Sequence, residues 1–307
     1  MERPPAIVGG LVYRGILANT AIGPHRRFGR DTALVPIDHH RETNRANWDA
    51  RVDVHLGSDV YGIRRFIDDP EFVGEVVRFD AANLGDVDGK RLLHLQCHIG
   101  TDTIGWARLG AEVTGIDISP KSIEAARSIS ENTGTRARFI LSELYDAPAA
   151  LPETFDIVYT GVGAICWLPD IKGWADVVAS FLASGGRFYM REGHPILWAL
   201  DIDRDDDLLV VDYPYFETAE PQHWSEDFTY AGEGEVVSPD TYEWNHGIAE
   251  ILQALIDVGL RIDEVGEYDF LEWEAGPVHQ LGEDGRYRLP ERRERLPLMW
   301  SVLATKT

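Results

Sequence analysis

The stretch Arg91 to Ser119, RLLHLQCHIGTDTIGWARLGAEVTGIDIS, leaves this chain few folds to choose from. Leu92, Leu93, Leu95 and Cys97 form a short apolar run suited to a buried parallel strand. Gly100 marks a tight turn, and Thr101 to Gly110 reads as a helix with Ile104, Trp106, Ala107 and Leu109 facing inward. Val113 to Ile118 is a second strand carrying an acid, Asp117, at its end. A strand, a turn, a helix and a second strand in this order make a βαβ unit. The unpaired N–H groups at the helix start suit an anionic or strongly polar ligand group. A carboxylate about 20 residues past the turn can accept both hydroxyl hydrogens of a ribose.

The turn departs from the dinucleotide pattern. Close approach of backbone to a pyrophosphate needs G-x-G-x-x-G, but here Gln96 and His98 stand where glycines are expected and only Gly100 remains. Two side chains leave less room for a pyrophosphate, and a ligand bearing an amino acid in place of phosphates suits them better.

This block resembles the first two motifs of the class I S-adenosylmethionine-dependent methyltransferases. It is especially similar to a bacterial branch whose glycine motif reads LHLQCHxGxDT. The resemblance spans roughly residues 44–306: ARFILSELYD (137–146) resembles the third strand and its acidic end, FDIVYTGVGAICWL (155–168) the fourth strand and its loop, and GGRFYMREGHPILW (185–198) the fifth strand with an extension. Trp244 to Leu260 and Leu296 to Lys306 resemble the last helix and the last strand. It implies an α/β, Rossmann-like, seven-stranded and mainly parallel sheet of 3-2-1-4-5-7-6 type, with helices on both faces. It also implies S-adenosyl-L-methionine held by Gln96, Cys97, His98, Gly100, Asp117, Ile118, Glu143, Leu144 and Thr160. Of these, Glu143 (with Asp146 as its rival) would meet the adenine amino group, the Leu144 N–H the ring, and the Thr160 carbonyl the cofactor's amino group. The activity implied is methyl transfer to a small-molecule acceptor on N, O or C. A catalytically silent or chemically divergent S-adenosylmethionine-binding protein is the alternative, and binding without turnover would favour it.

Composition bounds the partners. The chain has 307 residues, 44% of them hydrophobic, enough for one large α/β domain with insertions. A net charge of −23 argues against nucleic acid and against an anionic membrane surface. No apolar run reaches the roughly 18 residues of a membrane span, and the mildly apolar residues 6–22 are broken by Arg14. Cys97 and Cys166 match neither a metal site nor a disulfide framework, so a cytoplasmic protein without a metal is expected.

Residues 1–40 read as an arm or extension outside the fold. Residues 41–307 then form one domain: N-terminal helices over 42–85, a core over 86–193, an insertion over 194–245, and a C-terminal helix and strands over 246–307. Trp48 and Val52 form one face of a helix over 42–56, and Pro70 starts another that runs to Leu84. Ser119-Pro120 and Asp170 read as helix starts. His94 points away from Leu95 and reads as a core histidine.

The insertion is rich in aromatic residues, from Trp198 through Tyr213, Trp224 and Tyr230 to Trp244. It either caps a ligand at the carboxyl ends of the strands or packs a β-hairpin on the core, and its apolar faces equally admit a second copy of the chain. Asp201 to Asp207 read as a solvated loop. Trp48, Tyr61, Trp167 and Trp198 are the candidate acceptor-facing aromatics. A general base is needed only for an acceptor protonated at working pH. His194, just past the fifth strand, leads, with Glu192, His223 and His246 as alternatives.

Overall fold

In the computed structural model, the described residues are 37–307 apart from 203, 205, 207 and 233. The expected arm therefore lies outside them except for its last four residues, which begin a helix, and so does part of the 201–207 loop.

The sheet has seven strands: β1 (Arg91–Leu95), β2 (Glu112–Asp117), β3 (Arg138–Leu141), β4 (Phe155–Thr160), β5 (Leu182–Gly193), β8 (Leu260–Tyr268) and β11 (Met299–Lys306). Their order is β3-β2-β1-β4-β5-β11-β8. The first five run parallel, and β11 lies antiparallel between β5 and β8. Four two- to four-residue strands supply the gaps in numbering: β6 (Gln222–Ser225) pairs with β7 (Asp240–Glu243), and β9 (Gln280–Leu281) with β10 (Tyr287–Arg288).

Period-two alternation divides the side chains between the two faces. Leu93, Leu95, Val158, Phe188, Met190 and Val302 pack with α7 (Ile171–Phe181) and α9 (Ile248–Asp257). Leu92, Ile157, Tyr159 and Tyr189 pack with α3 (Glu75–Leu84) and α4 (Thr101–Arg108). His94 joins this second face, as expected: Nδ1 meets Thr103 Oγ1 at 2.9 Å, the ring edge meets Tyr159, and burial pushes its pKa down to about 3.

Arg191 emerges on the same face with no solvent exposure. Its Nε donates to Asp80 of α3, which also accepts from the Tyr159 and Tyr189 hydroxyls, and its Nη1 donates to Glu272 at 2.6 Å. Burial raises the Asp80 carboxyl, against the pull of Arg191 and the hydroxyls.

The helix starts read from the sequence hold. Ser119 accepts from the Ser122 N–H at the head of α5 (Pro120–Thr133), and Asp170 accepts from the Lys172 and Gly173 N–H groups. Pro70 does not start a helix: α3 begins at Glu75 with Gly74 as its N-cap, and Phe72 and Val73 reach the core from non-helical backbone. The first strand also stops early, at Leu95, because Gln96 adopts a left-handed backbone. The long α1 (Ile37–Leu56) lies across the carboxyl ends of the strands against β7 and α5. Among the described residues no helix is long and apolar enough to cross a membrane.

Candidate active site

The turn after β1 keeps a glycine-like path without the glycines. Gln96 has φ 55° and His98 φ 47°, a region that side chains with a Cβ enter only at a cost. The surroundings hold them there. Gln96 Nε2 donates to the Ala164 carbonyl at 2.9 Å, and the His98 N–H donates to Asp117 Oδ2 at 2.8 Å. Gly100, at φ 77°, cannot be replaced as cheaply, since a Cβ there would lie 2.7 Å from the Phe139 ring. Cys97 Sγ packs inward toward Gly115 and Phe139, its N–H bonds Ile116 and its carbonyl accepts from Gly100. Cys97 and Gly100 thus shape the turn rather than face its concavity.

Asp117 ends β2 with one oxygen on the His98 N–H and the other on the Ser119 N–H, at 2.8 Å each. Burial raises its carboxyl to about 6, against those two bonds, with Asp49 adding to the rise. Asp49 itself, on α1, accepts from Ser119 Oγ at 2.5 Å. After β3, Glu143 accepts from the Tyr145 and Asp146 N–H groups, and Arg41 of α1 approaches its other oxygen at 3.5 Å. Leu144 beside it is buried. Asp146, the rival acid, instead precedes the short helix α6 (Ala147–Ala150).

The loop after β4 is held from beneath. Glu192 is buried and accepts from the N–H groups of Gly163, Ala164 and Ile165 at 2.6–2.9 Å. That carboxylate shapes the loop and is removed as a candidate base. Thr160, register partner of Leu95, has a buried Oγ1 without a hydrogen-bond partner among the described residues, and the same holds for Gln96 Oε1. Two orphaned oxygens thus lie at the ends of adjacent strands, beside the turn.

An aromatic cover faces this floor. Trp48 of α1 stands edge-on to His98 (4.8 Å) and to Trp167 (5.2 Å), and Tyr61 lies 5.6 Å from His98. Tyr61 also meets the hydroxyl of Tyr230 in the insertion. Three of the four aromatics singled out from sequence therefore cluster. The fourth, Trp198, lies in α8 (Pro195–Trp198), stacked on Trp273 and over Gly193. His98 does not offer its ring to the floor: Nδ1 bonds Ser122 Oγ and Nε2 bonds His55 Nδ1, whose other nitrogen bonds Thr229 Oγ1. The insertion both caps and packs: Asn44 of α1 exchanges two hydrogen bonds with the Tyr242 backbone, and Asn47 donates to the Ser238 carbonyl.

The histidines considered as bases are all engaged. His194 caps α8, its Nδ1 accepting from the Ile196 N–H while Nε2 sits 3.1 Å from Glu267. His223 pairs with Asp240, and His246 ties Glu217 to the Leu168 carbonyl. Sequence reasoning passed over Asp102. A carboxylate in the first turn of a helix reads as an ordinary partner of the helix dipole. Here it makes no hydrogen bond to a described residue. Burial lifts it to about 7, Asp80 and Glu272 adding to the rise and Arg191 opposing it.

Residues 93–188 match the family described as "Methyltransferase domain". The chain is similar to the ubiquinone biosynthesis O-methyltransferase of Xanthomonas euvesicatoria, with 31% identity over 105 residues, 34% of this chain and 44% of that protein. It is similar to the protein of that name in Vibrio cholerae at 33% identity, over 33% of this chain and 41% of that one. The chain thus spans about two fifths of the length of these curated relatives. Among solved structures, a putative S-adenosylmethionine-dependent methyltransferase from Listeria monocytogenes superposes with a TM-score of 0.53 at 21% identity, covering 75% of this chain and 98% of that one. One from Mesorhizobium loti gives 0.51 at 21%, covering 75% and 95%. The chain shares its fold with these two proteins.

Proposed function

We propose that this protein binds S-adenosylmethionine and transfers its methyl group to a small-molecule acceptor. The observation that carries this reading is the turn at 96–100. It follows the path of a nucleotide-binding loop, yet Gln96 in place of a glycine leaves less room for a pyrophosphate and brings an unpartnered acceptor where an amino group would be welcome. The residues fit the cofactor on that ground: Gln96 Oε1 and the end of β4 at Thr160 for the ammonium, Asp117 for the ribose hydroxyls with Ile118 beside it, and Glu143 with the Leu144 N–H for the adenine. When bound, the cofactor supplies an activated methyl group on a sulfonium sulfur.

The chain's own work is placement. Trp48, Tyr61 and Trp167 exclude water and orient the acceptor, and holding the nucleophile in line provides much of the rate in such a displacement.

Calorimetry with S-adenosylmethionine, S-adenosylhomocysteine and NAD tests the reading. Micromolar binding of the first two, lost in Asp117→Ala, is expected. Preference for NAD, or no binding of either sulfur compound, overturns it. Tight binding without turnover of any phenol, amine or carbon acid favours the silent alternative.

A further inference from the structure

A buried cation in the cover has no counter-ion among the described residues. Arg51 of α1 is only 8% exposed, yet among the described residues no hydrogen bond or ion pair engages its guanidinium, and its Nε is buried without a partner. Glu243 is near enough for its charge to be felt, but no described carboxylate oxygen lies within the 4.0 Å of an ion pair. A guanidinium out of water is costly unless an anion meets it.

The side chain is held by rings instead. Its guanidinium carbon lies 5.2 Å from the Trp48 ring centre and 5.6 Å from that of Trp167. Stacking of this kind fixes the plane while leaving the N–H edges free to take a carboxylate in two parallel bonds. Trp167 in turn donates from Nε1 to the Gly163 carbonyl, on the loop whose Ala164 carbonyl receives Gln96 Nε2. Unmatched donors on Arg51 and unmatched acceptors on Gln96 and Thr160 are therefore fixed to one loop. That combination complements a zwitterion.

We infer that Arg51 binds the carboxylate of the cofactor's amino-acid half, opposite the ammonium site at Gln96 and Thr160. This rests on the methyl-donor reading above. The test compares S-adenosylmethionine with decarboxylated S-adenosylmethionine, which keeps the nucleoside, the sulfonium and the amine but lacks the carboxylate. Dissociation constants are measured by calorimetry for wild type, Arg51→Met and Arg51→Lys, with thermal unfolding as the control for folding. Wild type should prefer the carboxylated ligand by about 30-fold or more. Arg51→Met should bind both ligands alike, with the affinity for the decarboxylated one unchanged within about threefold. Arg51→Lys, which keeps the charge and loses the fork, should fall between and serves if the methionine variant does not fold.

Equal weakening of both ligands, or of neither, overturns the inference while leaving the cofactor reading intact. Unchanged cofactor binding with a raised KM for the acceptor also overturns it, and assigns Arg51 to an acidic acceptor. Failure of wild-type protein to bind either ligand sinks the underlying reading instead.

Discussion

The two walls of the candidate site are built on opposite plans. On the sheet side these buried charges have partners, Arg191 in Asp80 and Glu272, Glu192 in three backbone N–H groups and Asp117 in two, although single atoms such as Arg191 Nη2, Glu272 Oε2 and Thr160 Oγ1 have none among the described residues. On the side of α1 and the insertion, the buried cation Arg51 has no ion pair, and its Nε, like Asn47 Oδ1 and Gln222 Nε2, is buried without a partner among the described residues. Gln96, whose amide splits between the loop and an orphaned oxygen, stands at the border. A framework whose charges are paired holds its shape alone, whereas a cover whose buried cation lacks an ion-pair partner has a place for a ligand to supply one. Substitutions in the first wall should therefore cost stability, and those in the second affinity.

The largest expected effect tests the framework. Arg191→Met leaves Asp80 buried without its cation, held only by the Tyr159 and Tyr189 hydroxyls, and should lower unfolding free energy by about 3–5 kcal/mol in urea titrations. A loss below about 1 kcal/mol would break the comparison. Glu192→Gln presents an amide to N–H donors and should cost about 1–3 kcal/mol, with weaker cofactor binding as the loop shifts.

Asp117→Asn sharpens the contrast because it acts on binding. The wild-type carboxyl protonates as pH falls through about 6 and then ceases to be a pure acceptor. Affinity for S-adenosylhomocysteine should fall by up to about tenfold per pH unit below that point, and the asparagine variant should be flat with pH. A wild-type profile flat from pH 7 to 5 would remove Asp117 from the site.

His55 joins the two walls, and burial lowers its pKa to about 4, with the charge of Arg51 adding to the effect. The unfolded chain takes up this proton near pH 6.5, before the folded one does, so the stability His55 contributes is complete above that value and is lost as pH falls toward 4. His55→Gln should flatten the stability profile in that window by up to about 1.4 kcal/mol per pH unit; an unchanged slope counts against it. The smallest change in stability belongs to Gln96→Gly. Relief of the left-handed backbone offsets the lost bond to Ala164, leaving stability within about 1 kcal/mol of wild type while cofactor binding weakens. A large loss of stability would mean that Gln96 belongs to the framework.

The same contrast decides what the sequence disclosed. Strands and caps of the framework follow from alternation and from Ser119, Pro120 and Asp170, whose partners lie within a few residues. Asp117 was legible by its spacing from the turn. Arg51 was not, because an arginine on a helix of mixed polarity reads as solvated, and only the distant packing of Trp48 and Trp167 buries it. Asp102 was hidden for a similar reason, and the separation of Trp198 from the other three aromatics was not legible because its stacking partner Trp273 is remote in the chain. Phe72 and Val73 mimicked helical spacing while serving as core residues ahead of the true start at Glu75.

The contact between His55 Nδ1 and His98 Nε2, 2.8 Å long, has room for a single hydrogen. If His98 donates it, His98 Nδ1 must accept from Ser122 and His55 Nε2 must donate to Thr229; if His55 donates it, both outer bonds reverse. Four side chains from α1, α5, the turn and the insertion therefore carry one shared direction. A hydrogen turned around at Thr229, in the insertion, is felt at Ser122, in the first turn of the helix that follows Asp117.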